Sequence, residues 1–484
     1  MPLGFLVGRR LTLAAALAAV VVTAVTQAAY ANVAVTQVSS DPFTNTNAQH
    51  RTEVEPDTFV QGSTIVSTFQ VGRVAGGGSS DIGFATSNDS GATWSGGFLS
   101  GITVNQGGGV YQSASDPAVT FDAMHNVWLI SSLGVNGPGG NLAVFTSRSS
   151  DGAHTWSGPV TVATGQLDKN WIACDNTATS PFFGHCYTEY DISNASDALR
   201  MQTSTNGGLT WGPALATGDG AHGLGGQPVV RPNGTVLVPY ESTSGTIRSF
   251  RSIDGGQTWR ATVLVSGVSH HTDAGGLRAG FLPSAEIDAA GTVYVAWSDC
   301  RFRAGCPSND IVVSKSTSET TWAAPFRVPI DATTSTVDHF VPGIGVDRST
   351  SGTTARIGLT YYFYPTSNCT ASTCQLDVGY ISSTNGGATW TAATQLAGPM
   401  TLSWLPNTTQ GRMFGDYIST SVVAGGRAFP VIPVASAPTG STFNQAMFVP
   451  TAGLAVTGGA AAASDAGAAA VPATSSAAPA QTIH

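Results

Sequence analysis

An eight-residue pattern, S-x-D-x-G-x-T-W, recurs along this chain and limits what it can become. It reads "SNDSGATW" at 87–94, "SSDGAHTW" at 149–156, "STNGGLTW" at 204–211, "SIDGGQTW" at 252–259 and "STNGGATW" at 383–390. A worn copy ends in "TTW" at 320–322. The six closing tryptophans, Trp94, Trp156, Trp211, Trp259, Trp322 and Trp390, stand 62, 55, 48, 63 and 68 residues apart. A pattern returning at such intervals marks stacked copies of one supersecondary unit, none of which can bury its apolar face alone.

Each copy closes a longer unit. Units begin with runs such as "EPDTFV", "DPAVTF", "QPVV", "LPSAEI" and "FVPGIGV", and alternating β-branched and aromatic residues come next. Gly, Asn and Asp punctuate these runs, so they read as short strands and hairpins, with Asn233-Gly234 in "RPNGTVLV" as one turn. Only 10% of the residues are charged and 58 are glycine, which suits many strands and turns rather than long solvated helices. Three runs before the motif and one after it make four strands per unit, the blade of an all-β propeller. After Trp390, "FGDYISTSVV", "RAFPVIPVA" and "FNQAMFVP" supply three more strands, and "NVAVTQVSS" near the N-terminus supplies the fourth that they lack. A last blade shared by N- and C-terminal strands leaves no free edge. The expected count is seven antiparallel blades, with six as the alternative.

The motif itself reads as a hairpin lock between the third and fourth strands. Asp and Ser hydrogen-bond nearby turn backbone, and Gly permits the positive φ of the reversal. Asn206 and Asn385 stand where Asp89, Asp151 and Asp254 stand elsewhere; the acceptor oxygen is kept and the charge is not. A lock tolerates that change and a catalytic acid does not. These repeats resemble the Asp-box, or bacterial neuraminidase, repeats of the sialidase superfamily, over roughly Gln49 to Val449. The resemblance implies a propeller, and it leaves two functions open: a sialidase-like glycoside hydrolase acting on extracellular glycans, exo-α-sialidase included, or a non-catalytic glycan- or protein-binding propeller.

Either function belongs on the face opposite the motif, where the first strands begin and the 2–3 loops gather. That face is expected to hold Glu53, Glu55, Asp57, Asp116, Asp168, Lys169, Trp171, His222, Tyr240, Glu241, Arg278, Asp299, Arg301, Arg303, His339, Arg412, Asp416 and Tyr417. In sialidases three arginines clamp the substrate carboxylate, a Tyr–Glu pair supplies the nucleophile and an Asp is the acid/base. The resemblance then implies Arg278, Arg301 and Arg412 as the clamp, Asp57 or Asp116 as the acid, and Tyr417 with Glu241 as the nucleophile pair. Trp171, with Tyr361, Tyr362 and Tyr364, offers aromatic platforms to a binder. The chain departs from sialidases at "TEVEPDTF", which carries carboxylates where they carry Arg-Ile-Pro. Glu53, Glu55 and Asp57 there suit a cation or a neutral glycan better than a sialic acid.

The remaining signals bound the setting. Arg9-Arg10, the apolar run 11–25 and Ala29-Tyr30-Ala31 read as an export signal over 1–31, leaving a propeller at 32–450. Six cysteines in close pairs, Cys174 with Cys186, Cys300 with Cys306 and Cys369 with Cys374, suit disulfides in a secreted or cell-surface protein. No C-x-x-C and no histidine at ligand spacing is seen, so neither metal nor cofactor is expected. The net charge of −9 offers no stripe for nucleic acid, and no membrane insertion is expected once the signal is cleaved. The chain is read as a monomer with an Ala-rich disordered tail over 451–484.

Overall fold

The computed structural model describes Met1 and residues 33–137, 140 and 142–465. Apart from Met1 the export signal lies outside the described residues, as do 466–484 of the tail. The chain divides into Met1–Ala31 and Asn32–His484, and every described strand belongs to the second unit.

The strands form successive antiparallel meanders. The first runs Ala48–Gln61, Thr64–Val74, Ser79–Ser87 and Ser95–Phe98, and the second Ser113–Asp122, Val127–Val135, Leu142–Ser149 and Val160–Gly165. The third has Leu167–Cys174, Cys186–Ile192 and Ala198–Ser204. The fourth has Val229–Val230, Val236–Ser242, Thr246–Ser252 and Val263–Gly267. Ser284–Ile287, Val293–Asp299, Asp310–Ser316 and Phe326–Arg327 make the fifth. Asp338–Val346, Ile357–Tyr364, Gln375–Ser383 and Thr394–Thr401 make the sixth. Ser419–Val423, Arg427–Ala435 and Gln445–Pro450 form the last, and Val35–Gln37 pairs with its third strand, Val35 opposite Pro450.

The third meander departs from the four-strand expectation. Two isolated bridges, Met201 to Leu215 and Ala198 to His222, stand in place of its fourth strand. The tail departs too. Leu454–Ala455 pairs with Arg427–Ala435, Ala461–Ala462 with Thr389–Trp390, and Ser464–Asp465 with Phe326–Arg327. Leu454 and Val456 are buried, so the Ala-rich stretch carries two apolar anchors that its composition obscures.

The apolar cores lie between consecutive meanders. Val66, Ile82 and Phe84 of the first meet Val119, Trp128 and Ile130 of the second, while Phe69 and Val71 of the first meet Val431 and Met447 of the last. Trp297, buried completely, fills the layer between the fourth and fifth with Leu237 and Ile247. Each such side chain contributes about 1.5–3 kcal/mol by leaving water. The first strand of each meander touches the first strand of the next, and that of the last touches that of the first.

Every motif copy lies between the third and fourth strand positions. Asp89 Oδ1 accepts from Ser87 Oγ (2.8 Å) and Thr93 N (2.8 Å), and Oδ2 accepts from Thr93 Oγ1 (2.6 Å). Asp151 and Asp254 repeat this arrangement. Asn206 and Asn385 keep it by accepting through Oδ1 and donating Nδ2 to the Thr hydroxyl at 2.8 and 2.9 Å. Ser Oγ accepts the backbone N–H four residues on, where Gly91 adopts φ 86° and Ala153 is held at φ 65°. The indole N–H reaches a carbonyl from Trp94 and Trp390.

A second repeat lies at the other end of the meanders. Four first strands break register, and the bulged residues Glu55, Asp116, Lys169 and Val341 have φ of 55°, 47°, 50° and 46°. Pro follows three of them, as Pro56, Pro117 and Pro342. Pro lacks the N–H that a ladder needs and is at home at a bulge. Left-handed backbone at non-glycine residues is rare and costs free energy, and it concentrates where side chains must be aimed.

Candidate functional site

The bulges aim three side chains, Glu55, Asp116 and Lys169, at one another and at Asp416 from the chain just before Ser419–Val423. Lys169 Nζ donates to Asp416 Oδ2 and lies 3.8 Å from Glu55 Oε1 and 3.9 Å from Asp116 Oδ1. Asp416 is also gripped by Arg278, whose Nε donates to Oδ1 at 2.8 Å and whose Nη2 donates to Oδ2. The Asp416 N–H donates to Glu55 Oε1 at 3.2 Å, and Gln70 Nε2 donates to Glu55 Oε2. Asp116 Oδ2 accepts the Lys169 N–H at 3.1 Å. All of these groups are buried.

The charges order themselves accordingly. Burial opposes the Asp416 carboxylate, but Arg278 and Lys169 outweigh it and hold Asp416 below the usual carboxylate range. Burial likewise opposes the Lys169 ammonium, and Asp416, Asp116 and Glu55 overcome it, so Lys169 stays charged. Glu55 differs. Burial pushes it up to about 8 against the pull of Lys169, so it is protonated at neutral pH.

Glu241 lies partly exposed near the end of Val236–Ser242. Burial and then the Asp416 charge push it up to about 8, with Lys169 opposing. Beside it in the third meander, Asp168 and Asp191 face each other across two strands, and Glu189 stands opposite Trp171. Burial, then Asp168 and Glu189, pushes Asp191 well up. Sequence reasoning passed over Glu189 and Asp191. Their signal was "CYTEYD", acidic residues at alternate positions of a strand that is otherwise buried.

The expected site residues divide. Asp116, Glu241, Arg278 and Tyr417 belong to this centre or its rim. Tyr417 OH donates to the Pro117 carbonyl at 3.1 Å, and burial among Glu55, Asp116 and Asp57 drives its phenol well above the usual range. Its ring meets Trp171 edge to face at 4.9 Å beside a recess of about 10 Å³. That is room for one water.

The arginine clamp is not assembled. Arg278 is gripped by Asp416, Arg301 Nη2 donates to Asp299 and the Gly267 carbonyl, and Arg412 Nη1 donates to the Ser403 (3.1 Å) and Leu405 (2.6 Å) carbonyls. Nor do Glu53, Glu55 and Asp57 form one cluster, because the bulge turns them apart. Glu53 accepts from Ser39 Oγ at 2.8 Å, and Asp57 accepts the Val119 N–H at 2.8 Å. Ser284 accepts the Ile344 N–H in the equivalent place at 3.1 Å, so the Asp57 bond is a tie between neighbouring first strands. Tyr361, Tyr362 and Tyr364 are core residues and offer no platform. His222 accompanies the Ser196 carbonyl at 2.8 Å, and Tyr240 is buried. The three cysteine pairs are disulfides as expected, Cys174–Cys186, Cys300–Cys306 and Cys369–Cys374.

No family model matches the chain, and no curated protein matches it. Solved structures do resemble it. A protein of unknown function from Dyadobacter fermentans aligns with 72% of this chain and 98% of its own at 16% identity and a TM-score of 0.45. A leech intramolecular trans-sialidase aligns over 86% and 70% at 13% identity and 0.42, and an α-L-arabinofuranosidase from Fusarium graminearum over 72% and 96% at 15% and 0.42. These are likenesses of chain course at low identity. Among the described residues no helix is long and apolar enough to cross a membrane.

Proposed function

We propose that this chain is a seven-bladed Asp-box β-propeller, exported from the cell, that hydrolyses glycosidic bonds of a neutral glycan at the axial ends of its first strands. The unbroken succession of first-strand contacts and the shared last meander support the blade count. Three disulfides suit an oxidising compartment.

One observation carries the catalytic reading. Glu241 is held protonated at neutral pH, partly exposed, in the field of an ionised Asp416. Glycoside hydrolysis needs such a divergence, a carboxylic acid to protonate the leaving oxygen and an ionised carboxylate to stabilise or attack the anomeric carbon. Glu241 is the proton donor in this scheme, and Asp416, whose charge raises it, is the ionised carboxylate of the pair. Tyr417 keeps its proton and serves with Trp171 as the apolar wall against a sugar face. A neutral glycan fits better than a sialoside because Arg278 is already gripped by Asp416, and Arg301 and Arg412 each already donate to protein oxygens.

The Trp171–Tyr417 aromatic pair and the small recess beside it favour one second reading, a propeller that binds glycan without turnover. A panel of fluorogenic neutral glycosides and sialosides separates the two. Turnover of a neutral glycoside should fall about 10²–10⁴-fold in Glu241→Gln with melting temperature retained. Undiminished turnover in that variant, or hydrolysis of sialosides alone, refutes the proposal. Glycan binding without turnover, lost in Trp171→Ala, establishes the second reading.

A further inference from the structure

A groove opens at the outer rim, where the first and last meanders meet. The outer strands there are short. Val35–Gln37 has three residues and Ser95–Phe98 has four, against fourteen in Ala48–Gln61. The wedge between the two meanders is left unfilled, and a recess of about 210 Å³ lies in it. The recess beside Trp171 at the axial ends has only about 10 Å³.

Aromatic rings build the inside of the groove. Phe69 and Phe84 are buried beneath it, and Trp94 and Phe98 stand half-buried beside it. Both exposed rings are held in place. Phe98 meets Phe43 edge to face at 5.0 Å, and the Trp94 indole N–H donates to the Gly91 carbonyl at 3.2 Å. Between them run Gly96 and Gly97. A Cβ at Gly97 would stand 2.9 Å from the Phe84 ring, so glycine keeps that ring clear of a covering side chain.

The lip is polar and uncharged. Gln37, Ser40 and Ser95 are exposed there and offer amide and hydroxyl groups. Ser95–Phe98 pairs only with Ser79–Ser87 among the described residues, so the N–H and C=O groups along its other edge are open. No Asp, Glu, Lys, Arg or His lines the recess. Glu53 lies behind it and accepts from Ser39 Oγ at 2.8 Å; burial pushes it up to about 8, so it too is protonated at neutral pH.

We infer that this groove binds one neutral sugar ring, at a site separate from the axial centre. The C–H face of a sugar ring is apolar and packs on aromatic rings, while its hydroxyls need uncharged donors and acceptors at the rim. The groove distributes its groups in that way. A charged ligand would find no counter-charge here to offset its loss of water. An added peptide strand has no run to pair with. Ser95–Phe98 is four residues long, and Val38 passes over it, with its carbonyl 3.6 Å from where a Cβ of Gly96 would stand. Binding here needs no turnover at the axial ends, and the axial carboxyls take no part in it.

The test is calorimetric titration with neutral hexaoses of glucose, mannose, xylose and arabinose, with 3′-sialyllactose as the charged control. It uses the wild type and Trp171→Ala, which lacks the axial aromatic wall. At least one neutral hexaose should bind both proteins, with a Kd near about 1 mM, the range open to about a dozen contacting non-hydrogen atoms. In the Trp171→Ala background that affinity should fall at least about tenfold on adding Phe98→Ala, which removes one wall, or Ser95→Trp, which blocks the groove from its lip. Ser95→Trp, at an exposed position, decides the matter if Phe98→Ala fails to fold. Three results overturn the site: no neutral hexaose bound by Trp171→Ala, binding left unchanged by the groove substitutions, or 3′-sialyllactose bound there equally well.

Discussion

The two ends of the meanders use the same functional group in opposite ways. At the motif turns, Asp89 is fully exposed and its carboxylate is drawn down to about 2 by the hydroxyl and backbone N–H of Thr93 and by Ser87. At the axial ends, Glu55 and Glu241 are pushed up to about 8, chiefly by burial. The turn carboxylates are ionised, repeated and replaceable by Asn. The axial carboxyls are single-copy and divided into protonated and ionised members by two cations. Repetition therefore marks what holds the chain, and electrostatic asymmetry marks where chemistry is expected.

The largest effect should come from breaking the axial network at its centre. Lys169→Met keeps the bulk of the stem and removes the charge that faces Asp416, Glu55 and Asp116. Removing one partner from a buried ion network typically costs about 3–5 kcal/mol, because the remaining charges stay uncompensated. Denaturant unfolding should show this loss, and Lys169→Arg should recover much of it. A Lys169→Met protein as stable as wild type would mean that the network does not hold the axial ends together.

Acidity should separate the two regions next. The axial carboxyls have folded pKa values above their unfolded ones, with Glu55 and Glu241 at about 8 and Asp57 at about 7. The folded state then binds more protons than the unfolded one between about pH 4 and about pH 8. Their contribution is complete below the unfolded value and is lost as pH rises through 7 to 8. The turn carboxylates have depressed values, so theirs is present above about pH 4 and lost as pH falls towards 2. Melting temperature should therefore be higher near about pH 5 than near about pH 8.5. A rise across that interval would contradict the protonated state of the axial carboxyls.

The sequence made the repeat legible because turn chemistry is local. Ser, Asp, Gly, Thr and Trp at fixed offsets close one hairpin whatever surrounds them, and the terminal strands showed themselves by the partner that each lacked. The axial site was legible only as a roster. Strand alternation assigns a side chain to a face by its parity, and a bulge breaks that parity within one or two residues. Glu53, Glu55 and Asp57 share parity and look like one cluster, yet the bulge after Val54 sends them to Ser39, Lys169 and Val119. The Pro following Glu55 and Asp116 was the available clue, since a Pro inside an otherwise central strand signals a bulge. The grip on Arg278 had no clue at all, because Asp416 meets Arg278 across 138 residues and from different meanders.

The smallest effect sharpens the contrast at the turns. Asp254 accepts from Ser252 Oγ at 2.8 Å, from Thr258 N at 2.9 Å and from Thr258 Oγ1. Asp254→Ala removes all three bonds at a partly exposed site, and should cost about 1–2 kcal/mol in denaturant unfolding without changing activity per folded molecule. Asp254→Asn should cost less than about 0.5 kcal/mol, because Asn206 and Asn385 already close the same turn by accepting through Oδ1 and donating Nδ2 to the Thr hydroxyl. The ordering of the two variants is the informative quantity. If Asn is as damaging as Ala, charge rather than hydrogen-bond geometry holds the turn, and the two ends of the meanders are less different than their carboxyls suggest.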